Sequence, residues 1–139
     1  MKYRLLAALC YCLHMTSFAT VILQYHHVST TTPASTSISP EQFSLHMQYL
    51  EDNNFKVIAL STLMASIEQQ KPLPDKSVVI TFDDAYLDIL THGKPILDKH
   101  KFPFAIFINP SIVERNSSHY LSWQQLKAMA DDGVIIANH

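Results

Sequence analysis

The chain has 139 residues, of which 47% are apolar and 16% charged, with a formal net charge of −2. That is one domain's worth of chain with enough apolar surface for a core, and it excludes a disordered polyelectrolyte or a basic nucleic-acid-binding surface. The only two glycines, Gly93 and Gly133, exclude a glycine-rich phosphate loop.

The first stretch reads as a targeting leader. Lys2 and Arg4 form a positive start, Leu5 to Met15 an apolar run, and Ser17-Phe18-Ala19 a cleavage site with small residues at its −3 and −1 positions. The run is too short for a permanent membrane span, so residues 1–19 are expected to be a cleaved signal peptide and the mature chain to be periplasmic or secreted. Both cysteines, Cys10 and Cys12, fall inside the leader. The mature chain would then have no disulfide and no thiol chemistry.

From residue 20 the pattern alternates. Thr20 to Tyr25 is a short apolar strand, and the Ser-, Thr- and Pro-rich stretch Ser29 to Ser39 is a loop. Ser39 as N-cap, Pro40 at the first helical position and Gln42 three residues on form a capping box; Phe43, Met47 and Leu50 mark the buried face of that helix. Lys56 to Leu60 reads as a second strand and Thr62 to Gln70 as a helix. Ser77 to Phe82 is a third strand, with the continuous apolar run of one buried on both faces. Tyr86 to His100 is helical, with Pro95 predicting a kink or a restart. Phe104 to Asn109 is a fourth strand. Ser122 and Gln125 open another helix with a second capping box, Gly133 ends it, and Val134 to Ala137 is a fifth strand. Strands alternating with helices imply a parallel α/β arrangement, either an open sheet or part of a barrel.

In such folds ligands gather at the carboxyl ends of the strands. Those ends carry Tyr25-His26-His27, Thr81-Phe82-Asp83-Asp84, Asn109-Pro110 and Asn138-His139. Asp83 and Asp84 are the sharpest feature. Adjacent carboxylates after a buried strand repel each other and are costly to desolvate, unless a cation intervenes. A divalent metal held by one of them, with a histidine from a neighbouring strand, would leave the other as a base. A solvated acidic turn capping the next helix is the plainer alternative. Of His26 and His27, alternation lets only one face the rim, and a place in the pocket wall is expected rather than direct ligation. His46, His92, His100 and His119 are assigned no role, and Asp88, Asp98, Asp131 and Asp132 read as solvated helix positions.

Several of these segments together resemble one family. Val78-Val79-Ile80 running into Thr81-Phe82-Asp83-Asp84, preceded by Tyr25-His26-His27-Val28 and followed by Asn138-His139, looks like the polysaccharide deacetylases of carbohydrate esterase family four, the NodB-homology domain. Ser39-Pro40-Glu41-Gln42-Phe43, Phe55-Lys56-Val57-Ile58 and Leu121-Ser122-Trp123 fit the same family, in the same order. The nearest flavour is the exported subgroup that deacetylates poly-N-acetylglucosamine. The resemblance implies a distorted (β/α) barrel, of which residues 20–139 would supply the N-terminal part, about five strands. It implies Asp83 as catalytic base, Asp84 and His139 as ligands of a divalent metal, zinc first among the candidates, and Tyr25, His26 and Asn109 as pocket residues. It also implies hydrolysis of acetyl groups on a polysaccharide, with no nucleic-acid partner.

Two departures qualify that implication. Ala85 stands where the family has glycine, so a methyl must fit a turn built for none. The family's second metal histidine and its later acid histidine have no counterpart up to His139, so the sequence is expected to be a truncated form that is inactive alone. The rival reading is a non-catalytic glycan-binding module or pseudoenzyme. A nucleotide hydrolase built on the Val78–Asp84 strand would need a phosphate loop, and the sequence has none.

Overall fold

The computed structural model describes residues 20–139, so residues 1–19, read above as a leader and holding Cys10 and Cys12, lie outside the described residues. Its centre is an open parallel sheet. The strands β1 (Val21–Tyr25), β5 (Ser77–Asp83), β6 (Ala105–Ile108) and β7 (Ile135–Asn138) lie side by side in that order. The short β4 (Lys56–Val57) pairs with the start of β5 on the side away from β1, because Val78 has Val21 as one partner and Val57 as the other. Two further short strands, β2 (His27–Val28) and β3 (Ser37–Ile38), form a separate parallel pair.

Alternation along β5 sorts the sheet into two faces. Ile80 and Phe82 point one way, and the register places Tyr25, Phe82, Ile106 and Ile136 in one row across four strands. These residues belong to or pack against the main core. Helix α1 (Pro40–Asp52) contributes Phe43, Met47 and Leu50 to it, α3 (Lys94–His100) contributes Leu97, and α5 (Trp123–Asp131) contributes Leu126 and Met129. The ring of Phe82 meets Phe43 at 5.8 Å and Phe104 at 5.7 Å, both edge to face. The opposite face of β5 carries Thr81 and Asp83.

Local chemistry explains most of the boundaries. The Ser39 hydroxyl accepts the Gln42 amide at 3.2 Å, although the return bond that would complete a capping box is not formed there. At α5 both halves of the box are made. The predicted strand Lys56–Leu60 shrinks to two residues because α2 (Leu60–Gln69) starts earlier than expected; its N-cap, Ala59, has no side-chain acceptor to announce it. The predicted helix over 86–100 is a π-helical turn, Ile89–Gly93, followed by α3 with Pro95 in its first turn. Proline at the start of a helix breaks no bond, so the restart falls where the ring is tolerated. Gly93 keeps that turn close to β2, since a methyl there would meet Val28 Cγ2 at 3.3 Å. The β2–β3 pair and the short α4 (Pro110–Val113) carry no hydrophobic period and were illegible in the sequence. Among the described residues no helix is long and apolar enough to cross a membrane.

Candidate active site

Asp83 is the last residue of β5, and only 5% of it is exposed. A buried carboxylate needs donors. It finds them on the neighbouring strands. Gln24 Nε2 donates to Asp83 Oδ2. The same oxygen lies 3.9 Å from His26 Nε2 and 3.5 Å from His139 Nε2. Register explains the convergence. Gln24 sits opposite Thr81, so Gln24, His26, Thr81 and Asp83 share one side of the pleat. On the far side Asp83 pairs with Phe107 and Phe107 with Ala137, and the His139 amide extends that ladder by donating to Ile108 O at 2.9 Å. His139 therefore falls two residues beyond Ala137, on the face that carries Asp83. Ile22, Gln24, Leu60, Thr81, Asp83, Phe107, Asn138 and His139 enclose an open pocket of ≈ 480 Å³.

Asp84 begins the turn out of the strand. Its amide donates to Phe107 O at 2.9 Å, and both Asp84 (φ 71) and Ala85 (φ 56) lie in the left-handed region. Aspartate tolerates that region, whereas alanine is strained there by about 1 kcal/mol. The turn thus keeps the backbone shape a glycine would give, and the Ala85 methyl is fully buried. Behind the turn, burial pushes the Tyr86 hydroxyl up to about 12, with Tyr120 and the Asp84 carboxylate adding to the effect.

The adjacent histidines part company as alternation requires. His26 faces Asp83. His27 turns the other way, with Nδ1 donating to Asp88 Oδ2 at 2.7 Å and its ring stacked 3.6 Å from Tyr86. Asp88 also accepts the Val28 amide at 3.0 Å, and His92 Nδ1 donates to Val28 O at 2.8 Å. Asp88 is therefore no solvated helix position: it ties β2 to the segment after β5. His92 likewise has a structural role. His100 is buried against Glu51, with Nδ1 to Oε2 at 2.7 Å.

Two other expected pocket residues lie elsewhere. Tyr25 belongs to the core row: its ring is 5.0 Å from Phe43 and 5.7 Å from Phe82, its hydroxyl bonds His46 at 3.1 Å, and it does not line the Asp83 pocket. Asn109 caps α4, accepting the Ser111 amide at 3.1 Å, and is also absent from that lining. Gln24 is the residue that sequence reasoning missed. Its signal was present in its spacing, two residues before His26 on one strand. Among the described residues no three His, Cys, Asp or Glu side chains are grouped to hold a metal ion. The donor types at the rim, carboxylate and imidazole, suit a first-row divalent ion, but both imidazoles approach Asp83 rather than Asp84.

Comparison with known proteins decides the family. The polysaccharide deacetylase family model matches residues 70–139. The chain belongs to that family. It is 34% identical over 119 residues to the Bacillus subtilis protein YxkH, whose name places it in the same family; the match covers 85% of this chain and 41% of that one. It is 32% identical over 101 residues to a poly-beta-1,6-N-acetyl-D-glucosamine N-deacetylase of Staphylococcus aureus, covering 70% of this chain and 34% of that one. Among solved structures, IcaB from Ammonifex degensii superposes with a TM-score of 0.75 at 26% identity, over 88% of this chain and 53% of that one. The Streptococcus pyogenes deacetylase PplD gives a TM-score of 0.77 at 23% identity, which speaks for the fold, over 86% and 55%. The chain thus spans well under two thirds of the length of these relatives.

Proposed function

We propose that this deacetylase-family chain carries the Asp–Asp–His part of a hydrolytic site for N-acetyl or O-acetyl groups on a polysaccharide, an N-acetylglucosamine polymer being the favoured substrate. The observation that supports it most is the meeting of His26, Asp83 and His139 from three strand ends within 4 Å of one carboxylate oxygen. In this reading Asp83 is the base, Asp84 and His139 are metal donors, and His26 lines the wall.

A divalent ion, zinc by preference, would polarise the acetyl carbonyl and acidify a water when bound. The chain's own residues do the rest. Asp83 takes a proton from the attacking water. Gln24 holds one oxygen of that carboxylate by donating to Oδ2, which leaves Oδ1 for the proton. Ile22, Leu60 and Phe107 give this open pocket an apolar side against which the acetyl methyl would rest.

Asp84 and His139 are two donors, whereas a catalytic zinc site uses three. Turnover is therefore proposed to need a third donor besides these two, and the mature chain to be exported behind the leader read at residues 1–19. The rival, a glycan-binding module without turnover, keeps the same pocket. The test is acetate release from an N-acetylglucosamine pentamer with zinc, run on this polypeptide and on one lengthened by a segment that supplies a further histidine. Release by the longer form, lost on Asp83→Asn, is the expected result. Release that survives Asp83→Asn contradicts the role of Asp83, and no release from either form favours the binding module. Robust release by this polypeptide alone would contradict the incomplete donor set.

A further inference from the structure

The loop between α4 and α5 carries a motif that the hydrolytic site does not use. Asn116-Ser117-Ser118 has the pattern of an N-glycosylation acceptor: an asparagine, a hydroxyl residue two places on, and no proline between them. Neighbouring asparagines break that pattern. Asn53 and Asn54 have Phe55 and Lys56 at the second place, and Asn109 is separated from Ser111 by Pro110.

The structure presents the motif to solvent. Glu114, Arg115, Asn116 and Ser118 are all exposed, in the turn that follows α4. Asn116 has φ 49, a left-handed conformation that asparagine tolerates, and its backbone N–H donates back to Val113 O at 3.1 Å. The chain therefore reverses at the acceptor itself. Among the described residues the Asn116 side-chain amide and the Ser118 hydroxyl meet no hydrogen-bond partner, whereas Ser117 Oγ accepts the His119 amide at 3.4 Å. Other asparagine side chains are engaged: Asn53 Nδ2 donates to Tyr49 O at 2.9 Å, and Asn109 Oδ1 accepts the Ser111 amide at 3.1 Å. The two groups that a glycosyl transferase must reach are thus the two left free. Beyond them the loop is fastened, with Leu121 N donating to Ala85 O at 2.8 Å and Leu87 N to His119 O at 2.9 Å, so residues 114–118 stand on a fixed base.

Glu114 adds a third element. It places a carboxylate two residues before the acceptor, which bacterial-type oligosaccharyltransferases require, and the relatives named above are bacterial. We propose that Asn116 is the acceptor of an N-linked glycan, transferred from a lipid-diphosphate-linked oligosaccharide. Asn116 Nδ2 attacks C1 of the first sugar. The N–C1 bond forms, the C1–O bond to the diphosphate breaks, the lipid diphosphate leaves with the electron pair, and one amide proton passes to a base on the transferase. The leader read at residues 1–19 would bring the loop to the compartment where such transfer takes place. None of this depends on Asp83 or on the proposed metal donors.

The experiment incubates the full chain with a purified bacterial oligosaccharyltransferase and its lipid-diphosphate-linked oligosaccharide, and reads the intact mass and the masses of peptide fragments. The expected result is one glycan, on the peptide that holds Asn116. It is absent from Asn116→Gln and from Ser118→Ala and retained in Ser118→Thr, while Asn53→Gln, the control, keeps it. Transfer is about tenfold slower in Glu114→Gln, which loses one charge-assisted contact. Ser118→Ala, a small exposed change, decides if Asn116→Gln disturbs the turn. No adduct on the parent chain overturns the site. An adduct that survives Asn116→Gln or Ser118→Ala, or a rate indifferent to Glu114, overturns it as well.

Discussion

The two faces of the sheet share every strand and answer to different demands. On one face Tyr25, Phe82, Ile106 and Ile136 form a row packed against helices, and shape decides everything there. On the other, one residue along, Gln24, His26, Asp83 and His139 gather round a single carboxylate, and charge decides. The shift of one position turns a core strand into a site strand. It follows that neighbouring substitutions on β5 should have opposite signatures.

The largest effect belongs to the packed face. Phe82→Ala should cost about 3–5 kcal/mol in denaturant unfolding, because the ring is fully buried among Phe43, Phe104 and Tyr25. Asp83→Asn, its neighbour, should leave stability within about 1 kcal/mol. If both lose stability equally, the two faces are not functionally distinct.

Next comes the strap between them. Asp88→Ala leaves the Val28 amide and the His27 ring without their acceptor and should cost about 2 kcal/mol, with Asp88→Asn recovering part of the loss. A neutral result would mean that β2 is held by packing alone.

A smaller effect separates the faces by pH. Burial pushes the Tyr25 hydroxyl up to about 12, while an unfolded tyrosine ionises near 10. Between those values the unfolded chain loses the proton and the folded one keeps it. The contribution of Tyr25 to stability is therefore full below pH 10 and is lost as pH rises toward 12. Urea midpoints measured across that range should show the fall, and Tyr25→Phe should remove part of it. The smallest effect is at the turn joining the faces. Ala85→Gly relieves a strained φ but removes a buried methyl, so its unfolding midpoint should stay within about 1 kcal/mol of the parent.

Much of this was legible in the sequence because it repeats. The apolar run of Ser77–Phe82, the i, i+4, i+7 face of Phe43, Met47 and Leu50, and the Ser122–Gln125 box each read correctly. Alternation alone separated His26 from His27. What was illegible depends on contacts far apart in sequence. Gln24 reaches Asp83 only through the β1–β5 register, and Asp88 looked solvated because its partners, His27 and Val28, lie on β2. Tyr25 looked like a pocket residue because it sits beside His26, yet the same alternation sends it into the core. Asn109 stood at a strand end, where helix capping claimed its side chain.

We propose that the strand-end carboxylates form a metal-dependent hydrolytic site. The most direct test of this claim is a zinc titration of this chain by calorimetry, in parallel with Asp84→Ala and with Asp98→Ala as a surface control. The claim predicts one saturable zinc ion, bound at least about tenfold more weakly by Asp84→Ala and unchanged in Asp98→Ala. Zinc binding that is absent from the parent chain, or indifferent to Asp84, would contradict it.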